Sequence, residues 1–301
     1  MARPRRVAVL VNPAARGRAP RRAVADAVAR LVAAGIEAVV VGGVHAADSA
    51  RMLRGALDEG VDAVVSAGGD GTVHIALQEL SGTAVPLAVL PVGTGNDFAA
   101  ALGIRSVDQA LRLILTGRTR AVDVARVDRA GLPSVLFGTI LAAGFDSRVN
   151  DRANRMRHPR GQARYTLALL AEFTRLHSEP FRVTWTDADG RRHEIADDLV
   201  LAAVANGRSY GGGIPIAPDA DVADGLLDLV VVRDVSRRRM LRFLPSAYRG
   251  THWRIREVSM QRARMVRIEA DGVTGYADGD AVGPLPLTVS VLPGVLRVFS
   301  D

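Results

Sequence analysis

Strand-like and helix-like segments alternate without a break over the first 120 residues, and this rhythm restricts the architecture more than any other feature. Short apolar runs at 7–11, 37–41, 62–67 and 86–92 read as buried strands. Between them, 21–35, 47–60 and 72–82 carry apolar residues at helical spacing, and the first two end on Gly35 and Gly60. A strand that returns through a helix to the next strand must pair with it in parallel. The expected first domain is therefore Rossmann-like, a parallel sheet covered by helices on both faces.

The rhythm changes after "GRTRAVDVARV" (117–127). Runs at 134–145, 181–187, 198–206, 226–235, 264–270 and 287–299 read as strands, most of them separated by turns rich in Gly, Asp and Pro. Two helical segments, 161–177 and 236–250, interrupt them. The fold class expected is α/β, with an N-terminal parallel-sheet domain over 1–121 and a β-rich antiparallel domain over 122–301. A chain of 301 residues is long enough for both.

Composition removes several chemistries. There is no cysteine, which excludes disulfides and thiolate metal sites. There is no lysine either: all 39 basic side chains counted as Lys or Arg are arginine. A Walker-type phosphate loop, which places a lysine on the β- and γ-phosphates, is thus excluded. The net charge of +7 points to anionic partners or to a coding bias toward arginine. The apolar run at 134–145 is too short to span a bilayer. The N-terminal run reads as the first strand rather than a signal peptide.

Three loops fall at carboxyl ends of the parallel strands, where α/β sheets bind ligands: "NPAARGRA" (12–19), "GGDGT" (68–72) and "PVGTGND" (91–97). Glycines there let backbone N–H groups approach phosphate oxygens, and the helix N-terminus beyond favours an anion. Thr72 and Thr94 add hydroxyls. Asp70 reads either as a cap of the following helix or as part of a metal-linked network.

"GGDGT" together with "LPVGTGNDFAAALG" resembles the catalytic domain of the diacylglycerol-kinase-like lipid kinases, the family that includes bacterial lipid kinases and sphingosine and ceramide kinases. "VNPAARG" (11–17), "AAGFDSRV" (142–149), "YGGGIPIAPDADVADGLLDLVVV" (210–232) and "YADGD" (276–280) are similar to further family segments in the same order. The resemblance covers nearly the whole chain. It implies transfer of the γ-phosphate of ATP, with Mg2+, to the hydroxyl of diacylglycerol or a related lipid.

The resemblance also implies site residues. Nucleotide contacts fall on Asn12, Gly68, Gly69, Asp70, Gly71, Thr72, Gly93, Thr94 and Asn96, with Asp97 in an adjoining polar network. A metal site falls on the Asp224 carboxylate with the backbone carbonyls of Asp221 and Leu226. The general base falls on Asp278. Asp280 stands where the family has glutamate, one methylene longer, and joins Asp278 as a catalytic candidate. On the residues alone, "DGD" reads as a hairpin turn before it reads as a base, and the resemblance reverses that order. Arg16, His74 and Ile75 also depart from the family pattern.

Two segments are strongly basic. Residues 148–164 hold six arginines against one aspartate, and 237–256 hold seven with no acid, interleaved with Leu, Phe, Tyr and Trp. They read as solvated faces or as docking sites for anionic lipid. The expected partners are ATP and a lipid at a membrane surface, with no nucleic acid; an oligomer is allowed. The expected location is cytoplasmic and peripheral to the membrane. Two rival readings are a soluble kinase of the NAD kinase type, which shares "GGDGT", and a nucleotide- or nucleic-acid-binding protein without catalysis.

Overall fold

The computed structural model describes residues 3–11, 18–156, 158–159 and 162–300, with the backbone alone for 18, 162, 243 and 244. The chain forms two compact units, one of Met1–Val124 with Gly294–Asp301 and one of Ala125–Pro293. The sequence reading drew a single line after 121. Here the division falls after Val124, and the C-terminal residues belong with the first unit.

The first unit follows the expected alternation: β1 (Arg6–Val11), α1 (Arg18–Ala33), β2 (Glu37–Val41), α2 (Ala46–Asp58), β3 (Ala63–Gly68), α3 (Asp70–Leu80), β4 (Leu87–Pro91), α4 (Asp97–Ala101) and α5 (Val107–Thr116). The strands pair in parallel in the order β4-β3-β1-β2. Every residue of β3 is buried, as are Val7 to Leu10 of β1. Such unbroken apolar strands fit a sheet covered on both faces. Two short helices follow β4. Of these, α5 starts where the Ser106 hydroxyl accepts from the Gln109 N–H at 3.2 Å, and it buries Ala110, Leu111, Leu113 and Ile114.

The chain continues with β5 (Thr119–Arg129), which begins in the first unit and ends in the second, then β6 (Leu132–Phe137), β7 (Ile140–Gly144), α6 (Phe145–Arg155), α7 (Gln162–Phe173), β8 (Glu179–Thr186), β9 (Arg192–Ala205), β10 (Leu227–Arg233), α8 (Arg237–Tyr248), a 3-10 turn at His252–Arg254, β11 (Val258–Ala263), β12 (Met265–Glu269), β13 (Thr274–Ala277), β14 (Asp280–Pro284) and β15 (Leu287–Phe299), whose last residues from Gly294 return to the first unit. Pairings among β7 to β14 are antiparallel, with β9 between β7 and β8 and also joined to β10. β15 begins antiparallel to β12; its later residue Val298 pairs in parallel with Leu87 of β4.

Side chains of β9 follow the two-residue period of strands from Leu201 to Ala205, and the alternation breaks at Val200–Leu201, which share one cluster beside a register shift against β10. Leu199, Ala202 and Val204 of β9 join one cluster with Phe181, Val183, Val266, Ile268 and Leu287, strand against strand. Val200, Ala203 and Ala205 join another with Val149, Ala153 and Ala168, under α6 and α7. The stretch 134–145, read as one strand, is two strands separated by Gly138–Thr139, and α6 follows directly. The apolar face of the polar α6 segment is Phe145, Val149 and Ala153, and with Phe145 read as the end of the preceding strand the remaining two are too weak a periodicity to show in the sequence.

Candidate active site

In the first unit, two of the three glycine loops meet backbone to backbone. A Cβ on Gly93 would lie 2.2 Å from the Gly69 Cα and 2.6 Å from its nitrogen. No side chain fits between 68–72 and 93–97, and glycine at 93 is what permits the approach. Asn96, at φ 60, closes the second loop on itself: its Oδ1 accepts from Gly93 N–H and its Nδ2 donates to Gly93 O, both at 2.9 Å. Its side chain therefore shapes the loop. Gly93 and Thr94 are exposed, and around Gly71 a Cβ would meet nothing within 4 Å. The first loop, with Asn12 and Arg16, lies outside the described residues.

Asp70 does not cap α3, which begins at Asp70 itself with Gly69 as N-cap. Its Oδ1 accepts from the Phe98 N–H at 3.2 Å, tying the two loops together. Its Oδ2 and the Asp97 carboxylate flank Gly95, where a Cβ would come within 2.5 and 3.4 Å of them. Thr72 is only 2% exposed, and its hydroxyl packs against Gly68 with no hydrogen-bond partner among the described residues. It is an internal group in this structure, whereas Thr94 presents its side chain outward. What remains open is the start of α3 around Gly71, where the helix dipole favours an anion.

In the second unit, "YADGD" is a hairpin: β13 and β14 pair across it, with Asp278 at φ 49. The Asp278 carboxylate is heavily engaged. Oδ2 accepts from Gly138 N–H at 2.8 Å, and Oδ1 accepts from Thr139 N–H at 2.9 Å and from the Thr139 hydroxyl. Asn206 holds the other side of that turn, donating through Nδ2 to Gly138 O at 2.9 Å. Helix α6 pins the hairpin twice, by Asn154 Nδ2 on Gly279 O at 3.2 Å and by the Tyr276 hydroxyl on Asp151 at 3.1 Å. Burial first, and Asp151 next, push the Tyr276 phenol up. Asp280 is exposed at the head of β14. Gly138, Thr139, Asn206 and Asn154 carried no sequence signal, beyond the "GT" break in an apolar run.

The loop 221–226 is built from two side-chain turns. Asp221 Oδ1 accepts from Ala223 N–H at 3.1 Å, and Asp224 Oδ1 accepts from Leu226 N–H at 3.0 Å. Arg262, on β11, pairs with the other Asp224 oxygen. Asp228, largely buried nearby, is pushed up to about 6 by burial first; Arg262 opposes the shift while Asp224 and Asp219 add to it. The Asp224 carboxylate and the Asp221 and Leu226 carbonyls are all hard oxygen donors, so the residues fit Mg2+ in kind. A cation there would share Asp224 with Arg262. Among the described residues, no three carboxylates or imidazoles are grouped as a metal site.

The "GFD" segment places Gly144 at φ 96, where a Cβ would lie 2.6 Å from Val200 O. Asp146 beyond it is buried in α6 and accepts from the Tyr210 hydroxyl. Burial pushes its carboxyl up to about 6, against the pull of Tyr210 and Arg148.

Residues 6–127 match the diacylglycerol kinase catalytic domain, and 139–300 match the YegS C-terminal NAD kinase beta sandwich-like domain. A diacylglycerol kinase of Mycobacterium tuberculosis (strain ATCC 25618 / H37Rv) is 43% identical over 98% of this chain and 94% of its own. A Pseudomonas aeruginosa PAO1 protein described as "Probable lipid kinase YegS-like" is 31% identical over 83% of this chain and 80% of its own. A solved diacylglycerol kinase structure from Bacillus anthracis str. Sterne superposes with a TM-score of 0.71 over 100% of this chain and 98% of that one; at 22% identity it attests the fold. The class is thus a phosphotransferase with an alcohol group as acceptor. The chain belongs to the diacylglycerol kinase family of lipid kinases.

Proposed function

We propose that this kinase uses ATP with Mg2+ to phosphorylate the hydroxyl of diacylglycerol or a closely related membrane lipid. The observation that carries the reading is the close approach of Gly69 and Gly93, which brings two backbone loops together beside the start of α3. Such a surface offers N–H groups, Gly71 and exposed Thr94 to a polyphosphate. Phosphoryl transfer asks for positioning and charge neutralisation more than covalent chemistry. With no lysine in the chain, neutralisation falls to backbone dipoles, arginine and the metal. When bound, Mg2+ supplies compensating positive charge; Asp224 with the carbonyls of Asp221 and Leu226 would hold such an ion in the second unit.

The acceptor hydroxyl must lose its proton, and a carboxylate of the 278–280 hairpin is suited to take it. Asp278 was the expected base. Its oxygens already accept from three donors of Gly138 and Thr139, which leaves it ill placed to accept another proton. We therefore assign proton acceptance to the exposed Asp280 and turn formation to Asp278. This assignment also gives the shorter Asp280 a role.

Labelled ATP incubated with diacylglycerol, phosphatidylglycerol, a sphingoid base, ceramide, undecaprenol and NAD tests the reading. Label is expected in the lipid phase, highest with diacylglycerol. Label on NAD alone would mean a soluble kinase, and ATP binding with no transfer to any acceptor would mean a non-catalytic protein.

A further inference from the structure

Helix α8 and the 3-10 turn after it present a surface that the phosphoryl-transfer chemistry does not use. Leu241, Pro245 and Tyr248 are spaced i, i+4, i+7 and so share one stripe of the helix. The stripe is exposed: Leu241 by 54% and Tyr248 by 60%. Arg238, Arg242 and Arg249, also exposed, lie one helical step to its side. The opposite face is anchored, with Met240 packed on the core of the second unit and Arg239 paired to Glu257 at 2.8 Å.

The next apolar group is fixed in place. His252 is buried and donates to Ile216 O at 2.8 Å, which pins the turn that carries Trp253. Trp253 is 50% exposed, with the Arg254 guanidinium 4.8 Å from its ring centroid. From 236 to 256 there is no acidic residue.

We propose that α8 and the Trp253 turn form a docking surface for anionic lipid bilayers. Arginine supplies attraction to acidic headgroups, while Leu241, Tyr248 and Trp253 suit the headgroup boundary, where an apolar body and a polar edge are both satisfied. A purely electrostatic nucleic-acid surface would not need an exposed apolar stripe between its arginines. The inference rests on the lipid-kinase reading only for the reason that an acceptor lipid resides in a bilayer.

The test uses the full chain and vesicles of phosphatidylcholine, with and without phosphatidylglycerol, at low and high salt. Binding is expected only to the anionic vesicles and is expected to weaken with salt. Arg238→Gln/Arg242→Gln/Arg249→Gln should lower partitioning by roughly a hundredfold, and Leu241→Ser/Trp253→Ser should lower it without removing the salt dependence. Both variants should phosphorylate short-chain diacylglycerol in neutral detergent micelles at the wild-type rate. Equal binding to neutral vesicles, wild-type binding by the arginine variant, or preference for duplex DNA would overturn the docking surface. No transfer in micelles by any form would instead overturn the kinase reading and leave the vesicle result standing.

Discussion

The glycine loops of the first unit and the carboxylate hairpin of the second reach an ordered loop by opposite means. At 68–72 and 93–97 order depends on side chains being absent, because a single Cβ on Gly93 would push into Gly69. At 276–280 order depends on one side chain being present: Asp278 gathers donors from a turn 139 to 140 residues away in sequence. The first kind of site fails by crowding and the second by loss of an acceptor. Each failure can be measured separately.

The largest effect is expected at Asp280. Asp280→Asn should leave the fold and ATP binding intact and lower lipid phosphorylation by roughly 10²–10⁴-fold, the usual contribution of a positioned general base. Initial rates on one lipid check this, and added Mg2+ should not restore them. If Asp280→Asn keeps more than about a tenth of the wild-type rate, the hairpin base is elsewhere, and Asp278 regains the role.

Asp278→Asn should fail differently. The amide keeps one acceptor oxygen where the carboxylate had two, so a backbone N–H of the 138–139 turn loses its partner. A loss of about 2–4 kcal/mol is expected in chemical unfolding. An Asp278→Asn protein of wild-type stability would show that the hairpin does not depend on this carboxylate.

Asp146 sharpens the contrast, being a buried carboxylate with little to accept from. Its folded value of about 6 lies above the ordinary 3.8, so the folded state holds the proton more tightly. Stability should therefore fall as pH rises from about 4 to about 6, with the full penalty above that range. Asp146→Asn keeps an oxygen for Tyr210 and removes the penalty. The variant should gain roughly 3 kcal/mol at neutral pH and nothing near pH 3.8. Urea titrations across that range decide it, and a gain that does not depend on pH would contradict the burial argument.

The smallest effect separates ligand from loop. Gly71→Ala enters open space, so melting should be unchanged while ATP affinity falls about tenfold, a loss of roughly one cradle contact. Gly93→Ala should lower both. Unchanged ATP affinity in Gly71→Ala would remove the start of α3 from the nucleotide site.

Much of the parallel unit was legible because its signals are local. An unbroken apolar run at 62–67, glycines at the end of it and helical spacing after it are all set by neighbours in the chain. The family of lipid kinases was legible for the same reason, through motifs in a fixed order. The second unit was less so. Helix α6 has only Phe145, Val149 and Ala153 as apolar core residues on a polar segment, and the break at Gly138–Thr139 looks like continued strand until Asp278 is brought to it.

The sequence by itself determined the two kinds of unit, the enzyme class and which residues are chemically able to act. It did so because period, glycine placement and the absence of lysine and cysteine are properties of the chain alone. Only the tertiary structure decided what the polar residues do. Thr72 turned inward, Asn96 closed its own loop, Asp70 reached Phe98, and Arg262 paired with Asp224. Each of these outcomes depends on which donor or acceptor a distant segment supplies, and a buried polar group takes the partner that folding brings to it.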